Sequence, residues 1–389
     1  MKKTLLLSVA ASAMIMAGGD IAPATAAPAT VSGWDFSGTA KVYYETTSAV
    51  DLFDQMSSDG NVGIQLRATN SDVFAGIGAG FELSGVGTLD LEKSVVGAPM
   101  QRGHWSMSDL TGAWISQAYL TYAVNNTSFK AGRQELPMGL SPFAYSENWN
   151  VWSNTFDGVL VVNSDLPDTT AVLAWVKRGN HNHVTSNMGS FNAYNGSDGV
   201  WMLTLQNKSI ENVTLTGSYY NIDGNAIYWA DAQIALGDYT VGLQGGQVDQ
   251  DITGNPDDTT AFGAKVSTAI NGFNLALAYS NTDNGGLFQV GGMTSALYTN
   301  TVANQLAGNN LEEDASKVVL TASTELFGGT VIAAYAAVDS DNTGNTDELD
   351  LVYTTNITDS FNLTAAYVNV SPDVMSDLDV IRVVGTYNF

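Results

Sequence analysis

The chain consists of many short segments in which apolar and polar residues alternate with a period of two. In the stretch 34–46, Val42 and Tyr44 share one face, whereas Lys41 and Glu45 share the other. Alternation of this kind is typical of β-strands whose two faces meet different environments. About eighteen such segments follow one another to the C-terminus, with sixteen as the alternative count, and both numbers lie in the even-numbered range of bacterial membrane barrels.

The connections between these segments are alternately short and long. Short turns include Asn70 to Asp72 and Asn271-Gly272, whereas long connections include residues 84–115, 136–156 and 284–316. A two-sheet sandwich is not expected to alternate in this way around the whole chain. A transmembrane barrel with short periplasmic turns and long external loops is. The sequence therefore predicts an all-β, antiparallel transmembrane β-barrel with both termini on the periplasmic side.

The last segment, Val380 to Phe389, alternates in the same way and ends on an aromatic side chain. Tyr387 and Phe389 fall on its outward face, where a membrane interface would receive them. This ending resembles the closing strand of Gram-negative outer-membrane barrels, whose terminal Phe and preceding aromatic residue are read by the barrel assembly machinery. The resemblance implies that Tyr387 and Phe389 are the assembly signal. It also implies that this machinery and the outer-membrane lipids, including lipopolysaccharide, are partners.

The N-terminus carries the features of an export signal. Two lysines precede an apolar run from Leu5 to Ala17, and Ala24 to Ala26 fits a cleavage site. The run is too short for a membrane-spanning helix. We expect residues 1–26 to be a signal peptide and residues 27–389 to form one transmembrane barrel domain.

Charge and residue usage exclude several classes of protein. The net charge is −25, which argues against nucleic acid as a partner, and the absence of cysteine excludes disulfides. His104, His181 and His183 fall outside the predicted strands, and no Gly-x-Ser-x-Gly motif is present, so we do not expect an enzyme. The acidic balance serves solubility and also suits loops and a lumen that attract cations.

The inward positions of the predicted strands are polar, as expected if they line water. A ring of about eighteen strands leaves an aqueous channel. We therefore expect a pore for passive diffusion of small hydrophilic solutes and ions, with a preference for cations that its lining charges set. The charged residues predicted to line the lumen are Lys41, Glu45, Arg67, Glu82, Asp231, Lys265, Glu325, Asp350 and Arg382.

The third external loop, Leu136 to Phe156, is rich in aromatic and turn residues, so we expect it to fold inward and narrow the pore. Gly132-Arg133 before it and Gly158-Val159 after it resemble the OprD-like outer-membrane porins and the Campylobacter-type major outer membrane proteins. That family implies an eighteen-stranded barrel, often a homotrimer, passing cations or small nutrients. The predicted constriction residues are Arg133, Glu135, Tyr145, Glu147, Trp149 and Asp157.

Two questions about charge stay open at this level. Glu135, Glu147 and Asp157 either attract cations or hold the loop by hydrogen bonds. Lys130 and Arg133 cannot both face inward in a regular strand, so one of them lies in a bulge or at the rim. OprD-like channels for charged amino acids carry an arginine ladder, and few arginines are available for one here. A general cation-preferring pore is therefore expected instead.

Two external loops carry aspartates at alternate positions before a glycine, namely Asp249 with Asp251 and Asp339 with Asp341. The pattern resembles the first half of a calcium loop, although the flanking helices and the bidentate Glu are missing. An acidic hairpin loop is the alternative, and no other cofactor is expected. For function, the alternative to a porin is a barrel that acts mainly as a surface adhesin or structural protein through the loops 84–115 and 284–316.

Overall fold

The computed structural model describes residues 33–101, 112–181, 189–196, 198–222, 225–250, 258–287, 289–307 and 312–389. Within them the chain forms one antiparallel sheet of nineteen strands, with the last strand hydrogen-bonded to the first. The two-residue strand β8 only lengthens the edge of β7, and β7 pairs directly with β9. Eighteen strands therefore make the closed ring, as predicted. The predicted signal peptide lies outside the described residues.

The strands are β1 (Asp35–Thr47), β2 (Ser58–Phe74), β3 (Ile77–Gly87), β4 (Gly112–Val124), β5 (Thr127–Gln134), β6 (Phe156–Asn163), β7 (Thr169–Gly179), β8 (Asn192–Ala193), β9 (Val200–Asn207), β10 (Val213–Ile222), β11 (Asn225–Leu236), β12 (Tyr239–Gln250), β13 (Thr259–Ile270), β14 (Phe273–Asp283), β15 (Ala315–Leu326), β16 (Gly329–Ser340), β17 (Gly344–Asn356), β18 (Phe361–Pro372) and β19 (Leu378–Asn388). The helix α1 (Val302–Ala307) lies in the connection from β14 to β15. No helix in the described residues is long and apolar enough to cross a membrane.

The ring closes where β1 meets β19. Glu45 stands opposite Arg382 and Lys41 opposite Thr386 in this pairing. Beyond the last strand residue, the N–H of Phe389 donates to the carbonyl oxygen of Gly38 at 3.0 Å, and the Gly38 N–H donates back at 2.7 Å. The Phe389 ring lies over Gly38, in space that a Cβ atom would occupy. Closure leaves neither terminal strand with an open edge, which is the condition for a sheet in lipid.

The two faces of the strands differ as the sequence predicts. In β17, exposed and buried residues alternate from Asn345 to Val352. Large apolar side chains such as Phe36, Leu120 and Phe262 are exposed on the outer face. Aromatic side chains that face outward near strand ends include Trp34, Tyr122, Tyr239, Phe273, Tyr279 and Tyr387, all of them exposed. An apolar outer band bordered by aromatic side chains is the surface that a barrel presents to lipid.

One predicted turn is wrong. The sequence places a reversal at Asn70 to Asp72, but β2 continues to Phe74 and the chain reverses at Ala75-Gly76. The polar side chains do form local turns, because Asn70 Oδ1 accepts from the Asp72 N–H and Asp72 Oδ1 from the Gly76 N–H, both at 2.9 Å. These bonds produce an irregularity within β2, and positive φ angles at Ala75 (51°) and Gly76 (82°) make the hairpin.

The seam generates a test of the assembly signal. Deleting Phe389 removes its two hydrogen bonds to Gly38 and the ring that covers the seam, so we expect most of the protein to fail to reach the heat-modifiable, folded form on SDS gels. The control is Phe74→Ala, which removes a more exposed ring from the β2–β3 hairpin, outside the β1–β19 pairing, and should fold normally. Normal folding of the Phe389 deletion would contradict a role for this residue in closure.

Candidate functional site

Two loops narrow the lumen. The loop 135–155 joins β5 to β6 and packs inside the ring, which confirms the predicted inward loop. The connection from β14 to β15 also folds inward in its described residues, 284–287, 289–307 and 312–314, although the sequence places it among the external loops. We call them the first and second inward loops. The two loops are directly bonded, since the Val290 N–H of the second donates to the Phe143 carbonyl oxygen of the first at 2.8 Å.

The first inward loop rests on an apolar part of the inner wall. Leu136 and Phe143 are buried in a cluster with inward residues of β6, β7 and β9 to β13. The Phe143 ring meets Tyr220 and Trp229 edge-on, with ring centres 5.6 and 5.2 Å away. The prediction that the inner wall is polar throughout is therefore wrong, because the wall beneath this loop is apolar. Where a loop covers the wall, apolar side chains supply the dry surface that an aromatic loop needs for burial.

Glu147 joins the two inward loops. Its carboxylate accepts hydrogen bonds from the Met293 N–H at 2.9 Å and from the N–H and hydroxyl of Thr294 at 2.7 and 2.6 Å. The indole N–H of Trp149 donates to it at 2.9 Å. Burial raises the pKa of this carboxyl, and the hydrogen bonds it accepts oppose the rise. Tyr145 strengthens the same junction through hydrogen bonds to Thr294 and Ser295.

Helix α1 is held to the inner wall by carboxylates of β17. The backbone N–H of Ala303 donates to Glu348 at 2.7 Å, and that of Val302 donates to Asp350 at 3.2 Å. The hydroxyl of Thr301 also donates to Glu348. The first N–H groups of a helix have no partner within it, and carboxylates favour this end. Asp350 faces inward as predicted, but it is buried beneath α1.

Two inward cations, Lys317 and Arg382, also hold α1 in place. The Lys317 ammonium donates to Thr301 and Asn304 at 2.8 and 2.7 Å. Arg382 donates to the Gln305 side chain of α1 and to Glu45 across the seam, both at 2.7 Å. Glu45 and Arg382 therefore both face inward, as predicted, and lie beside each other, but they are buried. Arg382 therefore binds α1 and Glu45 and is not exposed to the open part of the lumen.

Another part of the lumen contains charged side chains of mixed burial, since Arg67 is exposed, Lys41, Lys130 and Glu135 are half-buried, and Glu82 is buried. The Lys130 ammonium lies 3.9 Å from the ring centre of Tyr119, and that of Lys41 lies 5.1 Å from the ring centre of Trp152. Arg67 forms an ion pair with Glu82, with 2.9 Å between Nε and Oε2, and its side chain is 46% exposed. We call this group the mixed-charge strip, and it consists of Lys41, Arg67, Glu82, Lys130 and Glu135.

Glu135 is the member of this strip that lies outside the strands, directly after β5. Burial raises the pKa of its carboxyl, Glu82 raises it further, and Arg67 and Lys130 lower it. The carboxyl therefore becomes neutral at a higher pH than an ordinary glutamate does. A carboxyl at this point of the lumen changes the charge of the constriction as it titrates.

A further polar group joins the second inward loop to the wall. The hydroxyl of Tyr298 donates to Asp231, and the Gln233 side chain donates to Tyr298 at 2.6 Å. The Lys265 ammonium lies 6.0 Å from the ring centre of Tyr298. Asp231 and Lys265 thus face inward as expected. Glu325 lies exposed at the end of β15 near a short turn and accepts a hydrogen bond from Thr330 at 2.7 Å.

Two of the predicted constriction residues lie on the other side of the wall. Arg133 and Asp157 are paired, at 2.7 Å between Nε and Oδ1. Their positions alternate with Gln134 and Phe156, which are buried on the inner side. Both residues therefore face outward, and we correct their assignment to the constriction. Lys130 is the member of the pair Lys130 and Arg133 that faces inward, which answers the question left open by the sequence.

The aspartates with the calcium-like pattern are only partly described by the structure. Asp249 and Asp339 lie within β12 and β16, the latter opposite Asn345, and Asp251 lies outside the described residues. Asp341 belongs to the tight turn that follows β16. No group of three or more His, Cys, Asp or Glu side chains in the described ranges could hold a metal ion.

Sequence reasoning missed the second inward loop, with its residues Thr294 and Tyr298, and its wall partners Lys317 and Glu348. The indication was present, because this connection contains Leu287, Val290, Leu297 and Val302, which a loop surrounded by water has no reason to carry. All four are buried.

A closed barrel with an apolar outer band and two inward loops is the architecture of the porin class of membrane channels. Solved structures with this fold include OccAB3 of Acinetobacter baumannii, 11% identical, with a TM-score of 0.76 and coverage of 92% of this chain and 99% of that one. OccK9 (OpdG) of Pseudomonas aeruginosa is 16% identical, with a TM-score of 0.74 and coverage of 92% and 98%. OccD3 (OpdP) of the same organism is 13% identical, with a TM-score of 0.69 and coverage of 92% and 91%.

No family model matches the chain, and no curated protein matches it in sequence. At these identities the solved structures establish the fold. The resemblance to OprD-like barrels that the sequence analysis stated is confirmed at that level.

The Glu147 junction can be tested by Glu147→Ala. The substitution leaves the buried N–H groups of Met293 and Thr294 without their acceptor, at a cost of about 1–3 kcal/mol for each group. We expect the two inward loops to separate, which increases both the open-channel current noise and the single-channel conductance. The matched control is Asn148→Ala, at the exposed neighbouring position. Equal noise and conductance in the Glu147→Ala and control channels would show that this junction does not hold the constriction.

Proposed function

We propose that this chain forms a water-filled channel in the outer membrane of a Gram-negative bacterium, through which small hydrophilic solutes and ions diffuse passively, with a preference for cations. The observation that carries the proposal is the division of the inner wall. Most of it is covered by the two inward loops, while the mixed-charge strip beside the first inward loop keeps Arg67 exposed and Lys41, Lys130 and Glu135 half-buried at the lumen. Charged side chains arranged beside a narrowed opening are how such channels select among solutes.

The preference for cations is inferred from the inner wall as a whole, because the mixed-charge strip by itself carries three bases and two acids. The whole chain carries −25, and acids outnumber bases on the inner side of the barrel. The inward acids are Glu45, Glu82, Glu135, Glu147, Asp231, Glu312, Glu325, Glu348 and Asp350, and the inward bases are Lys41, Arg67, Lys130, Lys265, Lys317 and Arg382. A negative lumen raises the local concentration of cations and lowers that of anions.

The alternative role as an adhesin is less well supported, for a structural reason. The loop 284–314 was one of the two external loops available for surface binding. It is instead joined to the first inward loop at Glu147 and to β17 at Glu348. A loop held inside the ring in this way narrows the lumen and does not extend from the cell surface to bind a partner. Neither catalysis nor calcium enters the proposal.

Assembly and surroundings are part of the proposal. Tyr387 and Phe389 would be recognised by the barrel assembly machinery, lipopolysaccharide would surround the outer rim, and the channel would be a homotrimer. An SDS-resistant band at three times the monomer mass, converted to monomer by heating, is the expected result for the trimer. A single unheated species at the monomer mass would contradict it.

Selectivity and its pH dependence test the functional proposal. In a salt gradient across a planar bilayer, we expect a reversal potential of the sign that cation preference gives at neutral pH. As the pH falls, Glu135 becomes neutral at a higher pH than an ordinary glutamate does, so the cation preference declines early. A unit charge about 4 Å from the ion path is worth about 1 kcal/mol in water, so we expect less than a tenfold change in the permeability ratio.

The Glu135→Gln variant should show the weakened preference already at neutral pH and should lose this early decline. The control is Glu325→Gln, which removes an exposed inward acid far from the mixed-charge strip and should keep the decline. Preference for anions at neutral pH would refute the proposed selectivity. An unchanged pH response in Glu135→Gln would refute the role of Glu135.

A further inference from the structure

The outer face of the barrel carries a recess that the channel function does not use. It lies at the loop ends of β6 and β7, beside β8, and has a volume of about 510 Å³. Its lining includes Asp157, Val159, Trp175, Arg178 and Phe191. Arg178 lines the recess, and Arg133 adjoins it through Asp157, which both arginines bind.

Strand pairing places this group on the outside. In β7, Val172, Ala174 and Val176 are buried on the inner wall, so Trp175 faces outward. The register shifts by one residue between Val176 and Arg178, which stand opposite Gly158 and Asp157. At such a bulge the extra residue and the one after it lie on the same side as the single residue opposite. Lys177 and Arg178 therefore both face outward with Asp157.

The charges of the recess are unequal. Asp157 accepts from Arg133 Nε at 2.7 Å and from Arg178 Nε at 2.5 Å, so one carboxylate serves two guanidinium groups. Arg133 is further held by the Ile115 carbonyl oxygen and by the Phe191 ring, 3.3 Å from its guanidinium carbon. Within the described residues the two terminal nitrogens of Arg178 have no hydrogen-bond partner, and its side chain is 50% exposed. The group keeps a net positive charge on an otherwise acidic protein.

The position of the recess along the barrel axis indicates which part of the membrane it contacts. Trp175 and Trp201 face outward side by side, with ring centres 6.3 Å apart, and they mark the outer interfacial level. Along β7, Arg178 comes three residues after Trp175. One of these residues is the extra residue of the bulge, so the distance along the strand is about 7 Å. The wall is also low here, because β5, β6 and β9 have only 8 residues each. The two arginines therefore lie at the level of lipid headgroups.

We propose that this recess binds a phosphate group of an anionic, phosphorylated glycolipid of the outer leaflet. Arg178 donates through its terminal nitrogens to the phosphate oxygens, and Arg133 contributes the second positive charge. An arginine fork matches phosphate geometry, and hydrogen bonds between ions are the stronger class. Below the arginines, Val159 and Trp175 offer an apolar floor to an acyl chain.

The profile of the recess favours a lipid over a second copy of the chain. Its chemistry changes from cationic to apolar in the direction of the membrane interior, as the chemistry of a phospholipid or phosphorylated glycolipid changes from headgroup to chain. The inference rests on the outer-membrane location in the proposed function but not on conduction, since none of these side chains lies in the lumen.

The test uses the full-length barrel in zwitterionic detergent, titrated with bisphosphorylated lipid A and followed by native mass spectrometry. An arginine near an anionic surface contributes about 1 kcal/mol, so Arg178→Gln should bind lipid A about fivefold more weakly. The matched control, Lys208→Gln, removes an exposed cation at a short turn on the opposite end of the barrel and should bind as the wild type does. Lipid A without phosphates should bind the wild type and Arg178→Gln equally.

The other outcomes overturn the proposal. Equal lipid A affinity of the wild type and Arg178→Gln shows that the recess is not the site, and strong binding of phosphate-free lipid A shows that phosphate is not the ligand group. Inorganic phosphate that binds the recess while lipid A does not indicates a free anion. Loss of oligomers in Arg178→Gln without any change in lipid binding indicates a subunit contact. Arg178→Gln should conduct as the wild type does, so a failure of conduction in every variant refutes the channel and not this site.

Discussion

Every backbone N–H and C=O group inside a lipid bilayer must find its partner within the protein, because lipid offers none. The pairing of β1 with β19, from Thr39 opposite Asn388 to Thr47 opposite Val380, meets this requirement for the whole ring, and the two hydrogen bonds between Gly38 and Phe389 extend it. Once the ring is closed, the side chains are divided between two environments by strand alternation alone. The apolar outer band, the polar lumen and the outward recess at Arg178 all follow from that division.

The inner wall has an apolar part, which binds the first inward loop, and a set of carboxylates, which bind the second inward loop. Apolar residues of β6, β7 and β9 to β13 receive the aromatic side chains of the first inward loop. Carboxylates receive the backbone N–H groups of the second inward loop, Glu147 at its middle and Glu348 with Asp350 at helix α1. Buried charges are expensive unless they are paired and hydrogen-bonded, and each of these carboxylates accepts hydrogen bonds. The charges not used in this way remain at the mixed-charge strip, where we propose that solutes pass.

Much of the fold could be predicted from the sequence, because alternation and turn residues are local properties. The number of strands, the inward positions of Glu45 and Arg382, and the inward first loop all follow from patterns within short segments. The turn at Ala75-Gly76 was missed because Asn70 and Asp72 have the stronger turn chemistry, although their side chains only bend β2. The prediction was wrong because the turn-forming side chains of Asn70 and Asp72 lie a few residues before the actual reversal.

The site was less accessible to sequence reasoning, because which side of the wall a residue faces near a strand end depends on long-range pairing. Arg133 and Asp157 flank the constriction loop in sequence, yet the pairing of β5 with β6 puts both on the outer face. The bulge at Lys177 then adds Arg178 to them. Likewise, Asp350 and Arg382 have the alternation of lumen residues, but only the path of the second inward loop shows that α1 covers them.

The central claim is that the two inward loops leave an open, water-filled path through the closed ring. Single-channel recording of the purified barrel in a planar bilayer tests it most directly. The account predicts discrete and uniform current steps as barrels insert, with a conductance that increases with the salt concentration. Insertion of folded barrels, shown by heat-modifiable mobility of the protein recovered from the membrane, without any current step would contradict it.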